Sequence, residues 1–94
     1  QGLLLMEPGK LPANLAQYAP LLRGLQAAAA AKGVSVRQAA LAFVRDLDAV
    51  DVVLVGVVSR QQLADCARDF HDSPSFDAGA LACDDLRLVN PALW

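Results

Sequence analysis

Four consecutive residues, Val52-Val53-Leu54-Val55, are apolar and nearly all β-branched, and Gly56 ends the run. A segment this short, with no polar alternation, reads as a strand at about 51–56 that is covered on both faces. Helical patterns flank it on either side, so the chain holds no obvious second strand to pair with it. A solitary buried strand leaves N–H and C=O groups orphaned along both edges, each at a cost of about 1–3 kcal/mol. Such a strand belongs inside a parallel sheet. Either the remaining strands lie in further sequence, or chains pair with one another.

The helices are legible from caps and periodicity. Pro20 suits a first helical position, Leu21, Leu22, Leu25, Ala28 and Ala29 share a face, and Lys32-Gly33 supplies a basic last turn and a terminating glycine, which predicts a helix over 20–32. Ser35 with Gln38 three residues on forms a capping box for a helix over 35–48. Its apolar stripe is Val36, Ala39, Ala40, Phe43, Val44 and Leu47, set against Arg37, Arg45 and Asp48 on the solvent side. Ser59 and Gln62 repeat the capping pattern for a helix over 60–70, with Leu63, Cys66, Ala67 and Phe70 inward. His71 closes that helix, where an imidazolium interacts favourably with the helix dipole. Loops are expected at 7–14 and 72–79, and a short helix capped by Asp77 over 78–86. The expected core is Phe43, Val44, Leu47, Val53, Val55, Leu63 and Phe70, packed as helices onto a parallel strand.

Composition supports a chain with more apolar surface than it can hide. Hydrophobic residues make up 55% of 94 and mean hydropathy is +0.36, yet aromatics are only 5%; ordinary domains are about 45–50% apolar. The opening Gln1-Gly2-Leu3-Leu4-Leu5-Met6 has no basic flank and does not read as a signal peptide. Arg23, Lys32 and Asp51 interrupt every apolar stretch short of the roughly 18 residues of a membrane span. The expectation is a cytoplasmic segment of something larger, without membrane contact. A net charge of −2 gives no electrostatic footprint for nucleic acid. A helix-turn-helix around Gly33 offers only Arg37 and Arg45 against Asp46 and Asp48. Cys66 and Cys83 lack metal-ligand spacing and read as small hydrophobes in a reducing compartment.

One place carries a chemical logic. A glycine at the C-terminal end of a parallel strand admits a ligand to the backbone, and the helix after Ser59 directs free N–H groups at the same spot, a pattern suited to phosphate. Taken alone, Ser59 reads first as an ordinary helix cap, and Arg60 first as a solvated surface charge.

The order of motifs adds to this. Ala40-Leu41-Ala42-Phe43-Val44, followed by Val53-Leu54-Val55-Gly56-Val57-Val58-Ser59-Arg60-Gln61-Gln62-Leu63, resembles the end of an aldo-keto reductase. Gln1-Gly2-Leu3-Leu4 is similar to the end of that family's seventh strand, and Asn90-Pro91 with Trp94 to one branch's tail. The resemblance implies an α/β parent, the C-terminal part of a (β/α)8 TIM barrel, with residues 1–94 as one segment that is mostly α-helical and holds one or two short strands. It implies carbonyl reduction by hydride transfer from NADP(H) or NAD(H), the cofactor's adenosine phosphate being held by the last strand and helix. The residues carried over are Gly56, Val58, Ser59, Arg60, Gln62, Asp65 and Cys66. Gly56 would approach the cofactor through its backbone, and Gln62 and Asp65 would contact the adenine end. Val58 stands where a phosphate-binding Ser is common, and Cys66 where Asn is usual. The family's catalytic Asp, Tyr, Lys and His fall upstream, so the segment is expected to be inactive alone and to self-associate. The competing reading is a stand-alone interaction module derived from that family without catalysis.

Overall fold

The computed structural model describes residues 2–94. Four α-helices carry the fold: α1 (Ala19–Lys32), α2 (Val36–Arg45), α3 (Arg60–Asp72) and α4 (Leu86–Val89). Single turns of 3₁₀ helix at Leu3–Leu5, Pro8–Lys10, Gly79–Leu81 and Pro91–Leu93 and a longer one at Ala13–Tyr18 connect them.

Local chemistry sets most boundaries. Gly33 stops α1 at φ 76°, where a Cβ would be strained, and its N–H reaches Ala30 O while Val34 N–H reaches Ala29 O, a Schellman arrangement. Ser35 caps α2 in a complete box: Gln38 N–H donates to Ser35 Oγ at 3.1 Å, and Ser35 N–H donates to Gln38 Oε1 at 2.8 Å. Contrary to the expected end at 48, α2 stops at Arg45. Asp46 and Asp48 carry negative charge at the negative end of the helix dipole, and the Asp46 carboxylate is instead gripped by Arg45 at 2.7 and 3.0 Å. α3 runs to Asp72, two residues beyond expectation, and Pro74 then forces Ser73 out of helical geometry (ψ 140°).

Two of the expected elements do not form as read. The helix over 78–86 is a single turn at Gly79–Leu81, with Asp77 Oδ1 accepting from Gly79 N–H at 2.9 Å, and a separate α4. Asp85 divides them by capping α4 through Arg87 N–H at 3.0 Å. The strand over 51–56 does not form: no strand exists among the described residues. No backbone hydrogen bond joins residues 51–57 to the rest of the described chain, and a strand without a neighbouring ladder has nothing to define it.

The core is elsewhere than the stripe predicted. One cluster buries Ala29, Ala39, Ala42 and Phe76, with Leu25, Ala28 and Leu81 against it. The other buries Leu15, Tyr18 and Leu88, flanked by Leu21, Cys83 and Trp94. The alanines let α1 and α2 approach closely, and the ring of Phe76 fills the space between them. The predicted cluster is largely unburied: Phe43 and Leu47 are 39% exposed, Val55 51% and Leu63 56%. α2 turns the edge bearing Arg37, Leu41 and Arg45 toward α3, so only the N-terminal half of its apolar stripe is covered.

The accessible surface is 6457 Å². A monomeric protein of 9.9 kDa normally exposes about 5,200 Å². Several large apolar side chains are exposed, above all Leu54 at 92% and Val58 at 91%. Among the described residues, no helix is long and apolar enough to cross a membrane.

Candidate functional site

The segment from Gly56 to Cys66 joins the unpaired run to the first two turns of α3. Gly56 has open space where a Cβ would lie, with no heavy atom within 4 Å. Ser59 holds extended backbone (φ −148°, ψ 157°), and its Oγ accepts from Gln62 N–H at 3.1 Å. The Gln62 side chain closes a ring of its own, with Oε1 accepting from Val58 N–H at 2.9 Å. This is a capping box displaced by one residue, since Gln62 reaches past the cap to the residue before it. Val58, Ser59 and Gln62 are thereby brought together.

Asp65 is otherwise engaged. Its Oδ1 accepts from Gln61 Nε2 at 3.0 Å and meets an Arg68 guanidinium nitrogen at 3.1 Å. The Gln61 amide, followed by Arg68 and Arg37, holds its carboxyl below the usual carboxylate range. Arg60 is exposed and makes no ion pair among the described residues. Cys66 is a half-buried free thiol.

Two networks escaped the sequence reading. Asp69, 2% exposed, accepts from Arg37 Nε at 2.7 Å and Gln38 Nε2 at 3.5 Å. Arg45 donates to the carbonyls of Phe70 and Ser73, both at 2.8 Å, and so satisfies the C-terminal end of α3. Both arginines had read as solvent-facing, yet together they clamp α2 to α3. Elsewhere, the Tyr18 hydroxyl donates to Asp85 Oδ2 at 2.7 Å, and Arg87 grips the same carboxylate at 3.0 and 2.7 Å. Burial, then the Asp85 bond, push the Tyr18 phenol up. A tyrosine acting as a proton donor near neutral pH requires the opposite shift. His71 is exposed at the end of α3, its ring edge-on to Phe70 at 5.5 Å.

A second feature is an apolar groove of ≈ 310 Å³ between α1, α2 and residues 76–82, lined by Leu4, Leu22, Leu25, Phe43, Phe76 and Leu81 among others. None of residues 56–66 reaches it. Comparisons with protein families, with curated proteins and with solved structures find no match for this chain.

Proposed function

We propose that this chain is the cofactor-facing C-terminal part of an aldo-keto-reductase-like (β/α)8 barrel, contributing to NADP or NAD binding for reduction of a small carbonyl substrate. The observation that carries the reading is the mismatch between pattern and burial. The run 52–58 and the C-terminal half of the α2 stripe are patterned for burial, yet in the structure Val52, Leu54, Val55 and Val58 of the first and Phe43 and Leu47 of the second are exposed. In a barrel, neighbouring strands would pair with the first, and the sheet would cover the second.

The cofactor assignment follows from position. In parallel α/β folds ligands gather at the C-terminal ends of strands, and there Gly56 leaves its backbone open and α3 presents its N-terminus. Arg60, free of ion pairs among the described residues, is placed in the first turn to meet a 2′-phosphate. Gln62 contacts the adenine end by exchanging its bond to Val58 N–H for one to the base. Asp65, with its carboxylate kept ionised by Gln61 and Arg68, offers an acceptor on the next turn. Val58 brings no hydroxyl to this site, so phosphate contacts fall to Ser59 and to backbone N–H groups. The proton donor and its activating partners come from the earlier strands of the barrel.

The test is cofactor affinity in the assembled barrel. Gln62→Ala and Asp65→Ala should each weaken NAD(P)H binding about tenfold, the loss of one hydrogen bond, with turnover at saturating cofactor nearly unchanged. Unchanged affinity alongside a large fall in turnover would count against the assignment.

A further inference from the structure

Between α2 and α3 the chain runs through residues 52–57 without a helical turn, and no backbone hydrogen bond ties them to the rest of the described chain. Val52 is 75% exposed, Leu54 92% and Val55 51%. The segment holds valine, leucine and glycine alone, with no charge and no proline. An endoprotease takes its substrate as an extended strand, so a bond inside a helix is cut only after that helix opens. Over 52–57 nothing has to open. The other connections between α-helices are tied down. Residues 33–35 are held by the Gly33 stop and the Ser35–Gln38 box. Between α3 and α4, Ser73 and Phe76 are buried, Gly79–Leu81 forms a turn, and Asp85 is gripped by Arg87 and Tyr18.

The contacts that join the two sides of this segment bypass it. Phe76, from the C-terminal side, packs among Ala29, Ala39 and Ala42 of the N-terminal side, and Leu88 packs against Leu15 and Tyr18. Polar ties run the same way. Arg37 Nε donates to Asp69 Oδ2 at 2.7 Å, Arg45 donates to the carbonyls of Phe70 and Ser73 at 2.8 Å, and the Tyr18 hydroxyl donates to Asp85 Oδ2 at 2.7 Å. None of these passes through residues 52–57. Both hydrophobic clusters and the clamp between α2 and α3 therefore survive a break there. An intact connection supplies an effective concentration of about millimolar. A folded chain is favoured at least about a thousandfold over its open form. The severed pieces should thus hold one another with Kd at or below about micromolar.

We infer that residues 52–57 are a processing site for an endoprotease whose specificity pocket takes small aliphatic side chains, and that the cut chain persists as one folded unit of two non-covalently held pieces. Water is the co-reactant. One peptide C–N bond breaks, the water oxygen joins the carbonyl carbon to give a carboxylate, and the two water protons pass to the nitrogen to give an ammonium. Both new charges form in an exposed segment, where water solvates them. The inference concerns the chain in the fold described here and goes beyond the barrel reading, in which neighbouring strands would pair with this segment and shield it.

Limited digestion of the 94-residue chain tests it, with elastase, whose pocket is small, compared against trypsin. Trypsin cuts after lysine and arginine, and all eight of these residues lie in helical turns. Mass spectrometry should place the first elastase cut within 52–58, at a rate within about tenfold of that for a free peptide spanning the segment. Trypsin should cut the folded chain at least about a hundredfold more slowly than free peptides carrying the same sites. The nicked product should elute as the intact chain on gel filtration at roughly 10 μM and keep its helical circular dichroism. Asp69→Ala should leave the elastase cut in place and weaken the hold between the pieces at least about tenfold. A first cut elsewhere, or elastase suppressed as strongly as trypsin, would overturn the processing site. Pieces that separate at that concentration would overturn their persistence as one unit. Either failure leaves the cofactor proposal standing.

Discussion

Replacing Phe76 by Ala should be far more damaging than replacing Phe43 by Ala, although the sequence pattern places Phe43 in the core. Phe76 is 9% exposed, and its ring is surrounded by Ala29, Ala39 and Ala42. The alanines have no side-chain freedom with which to collapse into the vacated space, and Leu25 and Leu81 beside the cluster can fill it only in part, so a cavity remains. Deleting a buried phenylalanine costs about 3–5 kcal/mol. Phe76 also borders the groove of ≈ 310 Å³, where its contacts are already incomplete, which places the loss near the lower end, about 3 kcal/mol. Phe43 is 39% exposed, and its removal should cost about 1 kcal/mol or less. At roughly 0.05–0.15 kcal/mol per residue, a chain of this length has about 5–14 kcal/mol in total. The first substitution therefore removes a large share of it. Urea unfolding followed by circular dichroism, at one protein concentration, reads the difference. With a slope of about 1–3 kcal/mol/M, the midpoint should fall by roughly 1–3 M for Phe76→Ala and by well under 1 M for Phe43→Ala. Equal losses, or a larger one for Phe43→Ala, would refute the placement of the core between α1 and α2.

Asp69→Ala should destabilise the fold by about 2–3 kcal/mol, below the cost of breaking a fully buried pair because Arg37 stays 36% exposed and can rehydrate. A double-mutant cycle with Arg37→Ala measures the coupling, and a loss under about 0.5 kcal/mol would mean the clamp between α2 and α3 is not formed. Stability should also fall in acid. The Arg87 guanidinium and then the Tyr18 hydroxyl hold Asp85 well below its ordinary value of 3.8, and Asp46 and Asp65 are depressed as well. Depressed carboxyls stabilise the fold fully above their unfolded values and lose that contribution as pH falls through the folded ones. The thermal midpoint should thus decline below about pH 4, and a rise there would contradict the assignment. Tyr18 behaves in the opposite sense: its folded value is raised above 10.0, so its contribution is intact below that pH and lost above it. As the single tyrosine, it should ionise later than free tyrosine in an ultraviolet titration, and normal ionisation would mean the bond to Asp85 is absent.

What the sequence disclosed and what it concealed divide along the range of the interactions. The Ser35–Gln38 box, the Gly33 stop and the Ser59 cap each close within five residues, and all three stand where the residues place them. The strand character of 52–55 is written in its β-branched side chains, but a strand forms only against a ladder, and none is at hand. Periodicity showed that α2 has one apolar face and could not show what meets the other. Arg37 and Arg45 therefore read as solvated, whereas their long side chains reach partners 32 and 25–28 residues away. At the candidate site, Ser59 and Gln62 were legible as a cap. The diversion of the Gln62 side chain to Val58, and of Asp65 to Gln61 and Arg68, depends on rotamers that no spacing specifies.

The reading frame upstream of Gln1 tests the central claim most directly, because a barrel C-terminus requires a barrel. About 200 further residues in frame are expected, with strands alternating with helices and a tyrosine, a lysine, a histidine and an aspartate toward the C-terminal ends of strands. A start codon immediately before Gln1 would contradict it.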